Sequence, residues 1–253
     1  MNRVKFSDHI VICGWNYQGE KIVNELVSNL KFQREIVILA NCERRPLDDD
    51  RVEFISGDPC KDEDLTRAGI KKADSVIVLS DVSKGANEAD AQALMIVLAV
   101  ESLNRRNHTT VQLMNLANRI HLERAHADEI ICLDQMGGNL VVASAMNHGV
   151  SHVVSELLTF NSGSEFYKYE GRLSGELVGK EFTDAVRVLA GKHMLLLGVE
   201  TEDSPETRTA LSSDVLHPIT ETKKVIVVNP LSPYKIKQGD ALFLIAESQP
   251  ANL

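Results

Sequence analysis

Cysteine, aromatic residues, long apolar runs and positive charge are all scarce in this sequence of 253 residues. The four cysteines occur singly, with no Cys-x-x-Cys pair, and this pattern favours a reducing compartment. The longest strongly apolar run, Ala93–Val100, is far shorter than the roughly 20 residues of a membrane-spanning helix. The net charge of −9 argues against nucleic acid as a partner, because nucleic-acid binders carry a basic patch.

The stretch His9–Glu20 contains the strongest local signal. The apolar, β-branched run His9–Cys13 predicts a strand that is buried on both faces, and it stops at Gly14. Gly19 then opens a segment of helical periodicity over Glu20–Leu30. Strand, glycine turn and helix form the first unit of a dinucleotide-binding fold, in which the turn aims backbone N–H groups at a phosphate.

The glycine fingerprint departs from its usual form. The pattern G-x-G-x-x-G reads GWNYQG here, and Asn16 stands in place of the middle glycine. Asparagine tolerates a positive φ, so the turn can still form, but its side chain would crowd a pyrophosphate. The acidic residue that commonly follows the second strand and binds a ribose is replaced by Asn41, with Glu43 as an alternative. The sequence predicts the fold and leaves the nucleotide open.

Strands and helices alternate along the first half of the chain. This alternation predicts an α/β fold with a Rossmann-like, doubly wound parallel sheet. The predicted strands are His9–Cys13, Glu35–Ala40, Arg51–Ile55, Ser75–Leu79, Thr110–Met114 and Glu129–Leu133. Asp58, Ser80 and Asp81 follow the carboxyl ends of two strands, the edge at which such sheets bind ligands. The two aspartates can equally be turn or helix-cap residues.

Two apolar features have no partner within this sheet. The predicted helix Gly85–Asn104 is apolar on nearly all sides, so we expect it to be covered on both sides, most simply by another protein chain. Met136–Phe160 predicts two helices broken near His148, a helix–turn–helix crossover that would embrace a second subunit. His148, His152 and Glu156 have the spacing of metal ligands, but Gly149 interrupts the helix between the histidines.

The remainder of the chain predicts a small α+β domain. Strands are expected at Glu165–Glu170, Met194–Val199, Lys224–Val228 and Asp240–Ala246, with one helix at Leu177–Leu189. The polar and acidic stretch Thr201–Ser213 predicts a surface loop.

Three motifs carry a resemblance to a known family: HIVICGW with a later glycine, SGDPCKDEDLTRAGIKKADSVIVLSD, and the tail KVIVVNPLSPYKIKQGDALFLIAE. Over residues 9–248 the chain resembles domains that regulate the conductance of K⁺ (RCK domains), a fold that also occurs in cytosolic subunits of bacterial Trk and Ktr transporters. The resemblance implies a linker from a pore helix at 1–8, an N-terminal RCK domain at 9–134, crossover helices that form a dimer interface at 135–161, and a C-terminal RCK domain at 162–253.

The resemblance also implies a function. The chain would be a non-catalytic, ligand-sensing regulator of a potassium channel, lying in the cytoplasm at the inner face of the membrane. Homodimers would assemble into an octameric ring. The lead-in VKFSD before the first strand favours a channel over a transporter subunit. Two alternatives from other classes are an NAD-dependent oxidoreductase and an assembly module with a vestigial pocket.

The implied ligand is NAD(H), ADP or ATP, or Ca²⁺. The residues that would bind a nucleotide are Gly14, Trp15, Asn16, Gly19, Asn41, Asp58, Ser80, Asn115 and Arg119. Arg119 is the one cation that the sequence places near this edge, or else a surface residue of the following helix.

The familiar calcium site of RCK domains is expected to be missing. The positions that match its carboxylates are Leu79, Leu116 and Asn118, and leucine offers no oxygen to calcium. Asp58, Asp81 and Glu88 are the alternative metal candidates.

Overall fold

The computed structural model describes residues 6–28, 34–159, 163–211, 217–219 (backbone only), 223–231 and 233–253. The chain divides into two compact units, Met1–His148 and Gly149–Leu253, which are described separately below. The predicted ends of two helices, Leu30 and Phe160, lie outside the described residues.

The first unit is built on a parallel sheet of six strands in the order β3-β2-β1-β4-β5-β6. This is the order of a dinucleotide-binding fold, as predicted. The strands are β1 Ile10–Cys13, β2 Ile36–Ala40, β3 Val52–Ser56, β4 Ser75–Val78, β5 His108–Leu113 and β6 Glu129–Cys132. Every residue of β1 and β2 is buried, because helices cover both faces of a parallel sheet.

Five helices belong to this unit. They are α1 Gly19–Ser28, α2 Asp62–Arg67, α3 Ala86–Leu103, α4 Arg119–Arg124 and α5 Leu133–Met146. Helix α4 is preceded by a 3-10 turn, Leu116–Asn118, in which the Asn115 side chain accepts a hydrogen bond from the Ala117 N–H. That side-chain bond favours a turn over an α-helix at this point.

The turn after β1 depends on Gly14. Its φ is +84°, and a Cβ added there would lie 2.7 Å from the carbonyl oxygen of Leu79. Only glycine combines that backbone conformation with such a close approach. Asn16 does not adopt a positive φ, so the expectation that it replaces the middle glycine through backbone tolerance is wrong.

Helices α3 and α5 carry exposed apolar side chains. One face of α3 is buried against the sheet, while Met95 and Leu98 are 58% and 51% exposed on the other. Helix α5 has no buried residue, and Val141 and Val142 are 70% and 60% exposed. Within the described chain, α3 is therefore covered on one side only, and the predicted cover of its other side by another protein chain stays a prediction.

The second unit contains an antiparallel sheet in the order β7-β11-β8-β10-β9 and three helices. Its elements are α6 Val150–Leu157, β7 Glu165–Tyr169, α7 Phe182–Ala190, β8 Leu195–Glu202, α8 Pro205–Ala210, β9 His217–Ile219, β10 Lys224–Val228 and β11 Ala241–Ala246. Phe182, Ala185 and Leu189 of α7 pack into the core of this unit. An α+β unit was predicted, and the structure has one.

Two predictions within this unit are wrong. Helix α7 begins at Phe182 and not at Leu177, because Gly179 takes a φ of +81° and its N–H donates to the Ile236 carbonyl oxygen. The predicted surface loop Thr201–Ser213 is instead, over its described residues 201–211, the end of β8 followed by α8, and its last two residues lie outside the described residues. Ser204 caps α8 by accepting a hydrogen bond from the Thr207 N–H, with proline in the first turn. Among the described residues, no helix is long and apolar enough to cross a membrane.

A buried carboxylate fixes α3 to the end of β5. Asp90 is only 3% exposed, and its two oxygens accept hydrogen bonds from the backbone N–H groups of Met114 (2.8 Å) and Asn115 (2.9 Å). The Asn118 amide donates a third bond to it, at 2.8 Å. A buried carboxylate that accepts three hydrogen bonds has its hydrogen-bonding requirement met. Its three donors would be costly to leave buried without an acceptor.

We predict that Asp90→Ala destabilises the first unit by about 3 kcal/mol, because two backbone donors lose their acceptor. Trp15 is the single tryptophan and lies in this unit, so urea unfolding followed by its fluorescence reports on the unit alone. The matched control is Asp48→Ala, whose side chain is fully exposed, with an expected loss within about 0.5 kcal/mol. Equal losses in the two variants would contradict the anchoring role of Asp90.

Candidate functional site

A cleft of about 320 Å³ opens at the carboxyl ends of the strands in the first unit. It lies next to the ends of β1 and β4, where the strand order reverses and open α/β sheets bind their ligands. The lining residues come from the turns after β1, β2, β3 and β4 and from one face of α3: Gly14, Trp15, Ala40, Asn41, Cys42, Asp58, Pro59, Leu79, Asp81, Ala89, Gln92, Ala93 and Ile96. The cleft is thus bounded by the sheet edge and by α3.

The cleft brings together about half of the residues predicted to bind a nucleotide. Gly14, Trp15, Asn41 and Asp58 line it, and the metal candidate Asp81 lines it as well. The other predicted residues do not line it: Asn16, Gly19, Ser80, Asn115, Arg119 and Glu88.

Asn16 and Ser80 belong to a buried network of side-chain amides instead. The Asn16 amide donates to the Ser80 carbonyl oxygen (2.9 Å) and to Oε1 of Gln112 (2.8 Å). The Ser80 hydroxyl donates to the backbone oxygen of Gln112, and the Gln112 amide donates to Oε1 of Gln18. The network ties the turn after β1 to the ends of β4 and β5.

Gln112 is absent from the predicted site residues, although the sequence contains a signal for it. A glutamine inside the apolar strand TVQLM is 7% exposed, and a buried amide needs hydrogen-bond partners. Its partners in the structure are the turn and strand-end residues of the site.

Trp15 lies against the start of α1. A Cβ added to Gly19 would lie 2.7 to 2.8 Å from carbons of the indole ring, so the glycine allows the ring to pack directly on the helix terminus. The N–H groups of Gln18 and Gly19 are also occupied, because they donate to the side-chain and backbone oxygens of Asn16 at 2.9 and 3.0 Å.

Asp58 is held by a compact turn after β3. Its N–H donates to Oδ2 of Asp64 (2.9 Å), and its own Oδ1 accepts from the Cys60 N–H (3.0 Å). The hydrogen bond from the Asp58 N–H and the Arg67 guanidinium, 2.7 Å from Asp64, lower the pKa of the Asp64 carboxyl against a raising effect of burial. The segment Gly57-Asp58-Pro59 is therefore connected to α2 by a hydrogen bond to Asp64.

Lys84, not Arg119, is the cation beside the cleft. Its Nζ lies 3.0 Å from Oε1 of Gln92 and 4.0 Å from Asp81, both of which line the cleft. The Ser83 hydroxyl and N–H hydrogen-bond to Asp81 and, with Lys84, lower the pKa of its carboxyl, which burial opposes. Arg119 pairs with Glu123 on the surface of α4, at 2.9 Å, as the alternative reading of that residue had it.

Asn115 also lies away from the cleft. Its N–H donates to Asp90, and its amide donates to Oδ1 of Asn87 at 3.1 Å. Asn87, Asp90 and Asn118 line a separate cavity of about 110 Å³ between α3 and α4.

The thiols near the sheet edge are protonated at neutral pH. Burial raises the pKa of Cys13 to about 12, and burial together with the neighbouring Asp58 raises the pKa of Cys60 to about 11. Neither thiol supplies the thiolate that a nucleophile or a metal ligand requires.

In the part of the chain that the structure describes, no three metal-binding side chains converge. Asp58 and Asp81 share the cleft, but Glu88 does not line it and lies 3.5 Å from Lys84. Of the three positions that the resemblance matches to calcium ligands, Leu79, Leu116 and Asn118, the two leucines carry no side-chain oxygen.

The cleft fits part of a dinucleotide. Asn41 stands at the end of β2, where a ribose is bound in this fold, and cleft volumes near 300 Å³ are at the lower end of the range for small-molecule sites. The turn offers fewer free donors to a pyrophosphate than an all-glycine turn, because the Asn16 side chain occupies the Gln18 N–H, and Trp15 packs on the helix terminus.

Comparison with known proteins finds a similar domain. Residues 5–114 match the model described as the RCK domain of slowpoke-like, calcium-activated potassium channels. The predicted resemblance is thereby confirmed for the N-terminal part of the chain.

Potassium channels are among the proteins to which this chain is similar. The chain is 25% identical over 189 residues to the calcium-gated potassium channel TvoK of Thermoplasma volcanium, which covers 74% of this chain and 53% of that protein. It is 23% identical over 232 residues to the potassium channel protein YugO of Bacillus subtilis, with 88% and 66% covered. The chain therefore spans about half to two thirds of the length of these relatives.

A solved structure shares the fold. The human SLO3 gating ring superposes with a TM-score of 0.67 at 19% identity, over 95% of this chain and 44% of that one. At this identity the likeness establishes the fold alone.

We predict that Asp64→Asn costs about 1 kcal/mol of stability at pH 7, through the lost ion pair with Arg67. Because the folded state lowers the pKa of Asp64, this contribution is fully present above the unfolded value of about 3.9 and disappears as the pH falls through the lower folded value. Urea unfolding followed by Trp15 fluorescence should show a difference from the parent protein that is constant from pH 7 to pH 5 and smaller at pH 3. A difference of equal size at pH 7 and pH 3 would refute the electrostatic origin.

Proposed function

We propose that this chain is the ligand-sensing gating-ring region of a potassium channel and lies in the cytoplasm at the inner face of the membrane. A small ligand binds the cleft of the RCK domain, and the ring transmits the binding free energy to the pore. A ligand shifts such a gate only by the difference between its affinities for the two ring conformations. The channel relatives and the RCK match support this assignment.

The observation that carries the proposal is the double role of α3. Ala89, Gln92, Ala93 and Ile96 of this helix line the cleft. Met95 and Leu98 of the same helix are exposed on its other side, where a neighbouring subunit would cover them. A ligand that repositions α3 would therefore change the surface on which the ring assembles.

The dimer is proposed to form through the crossover segment 135–161. Helix α5 has no buried residue although its sequence is strongly apolar, and Met136, Val141, Val142 and Met146 are all exposed. An apolar helix without cover in its own unit is stabilised by a partner. Four such dimers would complete the octameric ring implied by the resemblance.

Three alternatives differ in what they require. A Trk- or Ktr-type transporter subunit would use the same cleft and ring with another membrane partner. An oxidoreductase needs a general acid or base beside a nicotinamide, and no histidine, lysine or tyrosine is among the described residues that line the cleft. A pure assembly module would keep the ring and show no response to ligands.

Potassium flux tests the proposal. This chain would replace the matching segment of YugO, and flux into vesicles would be measured with NAD⁺, NADH, ADP, ATP, adenosine and Ca²⁺ in turn. We predict that at least one ligand changes the flux and that Asn41→Trp, which fills the cleft from an exposed lining position, abolishes the response.

Glu43→Trp is the matched control, since Glu43 is exposed two residues further on and does not line the cleft. It should retain the response. A flux that no ligand changes would overturn the sensing role, and equal losses in both variants would overturn the assignment of the cleft.

Replacing both Val141 and Val142 by aspartate is expected to dissociate the dimer, because four charges would be buried at one interface. Light scattering of the purified chain measures the change as a halving of the mass. Val228→Asp introduces the same side chain at an equally exposed position of the second unit and should leave the dimer intact. A dimer that survives the double substitution rules out α5 as its interface.

A further inference from the structure

We infer that the cleft selects a nucleoside without a phosphate chain and discriminates against nucleoside diphosphates and dinucleotides. The inference rests on the proposed function, since it specifies the ligand class of the same sensing cleft. It departs from the glycine fingerprint, whose usual role is to bind a pyrophosphate.

The first argument concerns the backbone donors of the turn. A phosphate at a helix terminus is held by free N–H groups. Here the Gln18 N–H donates to Oδ1 of Asn16 at 2.9 Å, and the Gly19 N–H donates to the Asn16 carbonyl oxygen at 3.0 Å. Asn16 itself is 8% exposed and is held in this position by Ser80 and Gln112. The asparagine side chain thus occupies one donor of the turn, the Gln18 N–H, while the Gly19 N–H is engaged by the backbone.

The second argument is steric. The indole of Trp15 packs against Gly19 closely enough that an added Cβ would collide with three of its ring carbons. The ring therefore stands at the terminus of α1 where a pyrophosphate would approach. Trp15 is also one of the residues that line the cleft.

The third argument is electrostatic. Asp58 and Asp81 both line the cleft, and no lysine or arginine is among its described lining residues. Lys84 is nearby, but its ammonium group is shared between Gln92, Asp81 and Glu88 at 3.0, 4.0 and 3.5 Å. A second or third phosphate charge in this cleft would meet two carboxylates and one engaged cation.

The remaining lining groups suit a nucleoside. Asn41 follows β2, where a ribose hydroxyl is bound in this fold, and it can both donate and accept a hydrogen bond. The Asp58 carboxylate accepts hydrogen bonds from hydroxyl groups, which a phosphate lacks at neutral pH. A volume of about 320 Å³ also matches one base and one ribose better than a dinucleotide.

Calorimetric titration of the purified chain with adenosine, AMP, ADP and NAD⁺ tests the inference. We expect adenosine to bind most tightly and AMP, ADP and NAD⁺ progressively more weakly, with on the order of tenfold between adenosine and ADP. Added salt should narrow the difference, because it screens the repulsion from Asp58 and Asp81. A nucleotide that binds more tightly than adenosine would overturn the inference.

Two single substitutions separate the local effect of charge in the cleft from a general effect of removing a carboxylate. Asp81→Asn should strengthen ADP binding several-fold and leave adenosine binding unchanged, whereas Asp48→Asn, the same change at a fully exposed site outside the cleft, should affect neither. Equal effects on ADP in both variants would contradict the local electrostatic argument.

A chain that binds none of the four compounds would also overturn the inference. The proposed sensing function would then be decided by the flux measurement, which includes Ca²⁺. A response to Ca²⁺ alone would keep the sensing role and reject the nucleoside, so the two proposals fail separately.

Discussion

The first unit is organised by the close approach of Gly14 to the carbonyl oxygen of Leu79. β1 and β4 lie side by side in the sheet, and their chains leave its carboxyl edge in different directions. The turn after β1 passes so near to Leu79 that no side chain fits at residue 14, and its φ of +84° excludes most other residues on its own. That passage opens the space between the turns and α3, and the cleft is the result.

Two sets of buried hydrogen bonds hold the turn, the strand ends and α3 together without a bound ligand. Gln112 and Asn16 connect the turn to the ends of β4 and β5, and Asp90 connects the end of β5 to α3. Their groups are buried and hydrogen-bonded, so displacing any of them exposes unpaired donors, at a cost of about 1 to 3 kcal/mol each. Such connections resist gradual deformation and favour movement of the turn, strand end and helix as discrete units.

The strands of the sheet could be predicted from the sequence, whereas the arrangement of side chains at the site could not. Fully apolar runs such as Ile36–Ala40 predict buried strands because burial on both faces leaves no other composition. The positions of the site side chains depend on contacts between residues that are far apart in the sequence: Gln112 bonds Asn16 from 96 positions away. The hydrogen bond from Lys84 to Gln92 spans eight residues, and no local sequence pattern predicts it. Helix α8 was missed because a capped helix of six residues leaves only serine and proline as signals within a polar stretch.

Asn16 shows how one substitution can keep a fold while changing what it recognises. A glycine at this position would leave the Gln18 N–H without its side-chain acceptor, and that donor would be free for a phosphate. With asparagine the protein supplies that acceptor itself, so the Gln18 N–H is hydrogen-bonded before a ligand arrives. A preordered cleft loses less entropy on binding. Ligand binding then orders the turn less. The difference in ligand affinity between the two ring conformations, which drives the gate, must therefore come from contacts with α3 and not from ordering of the turn.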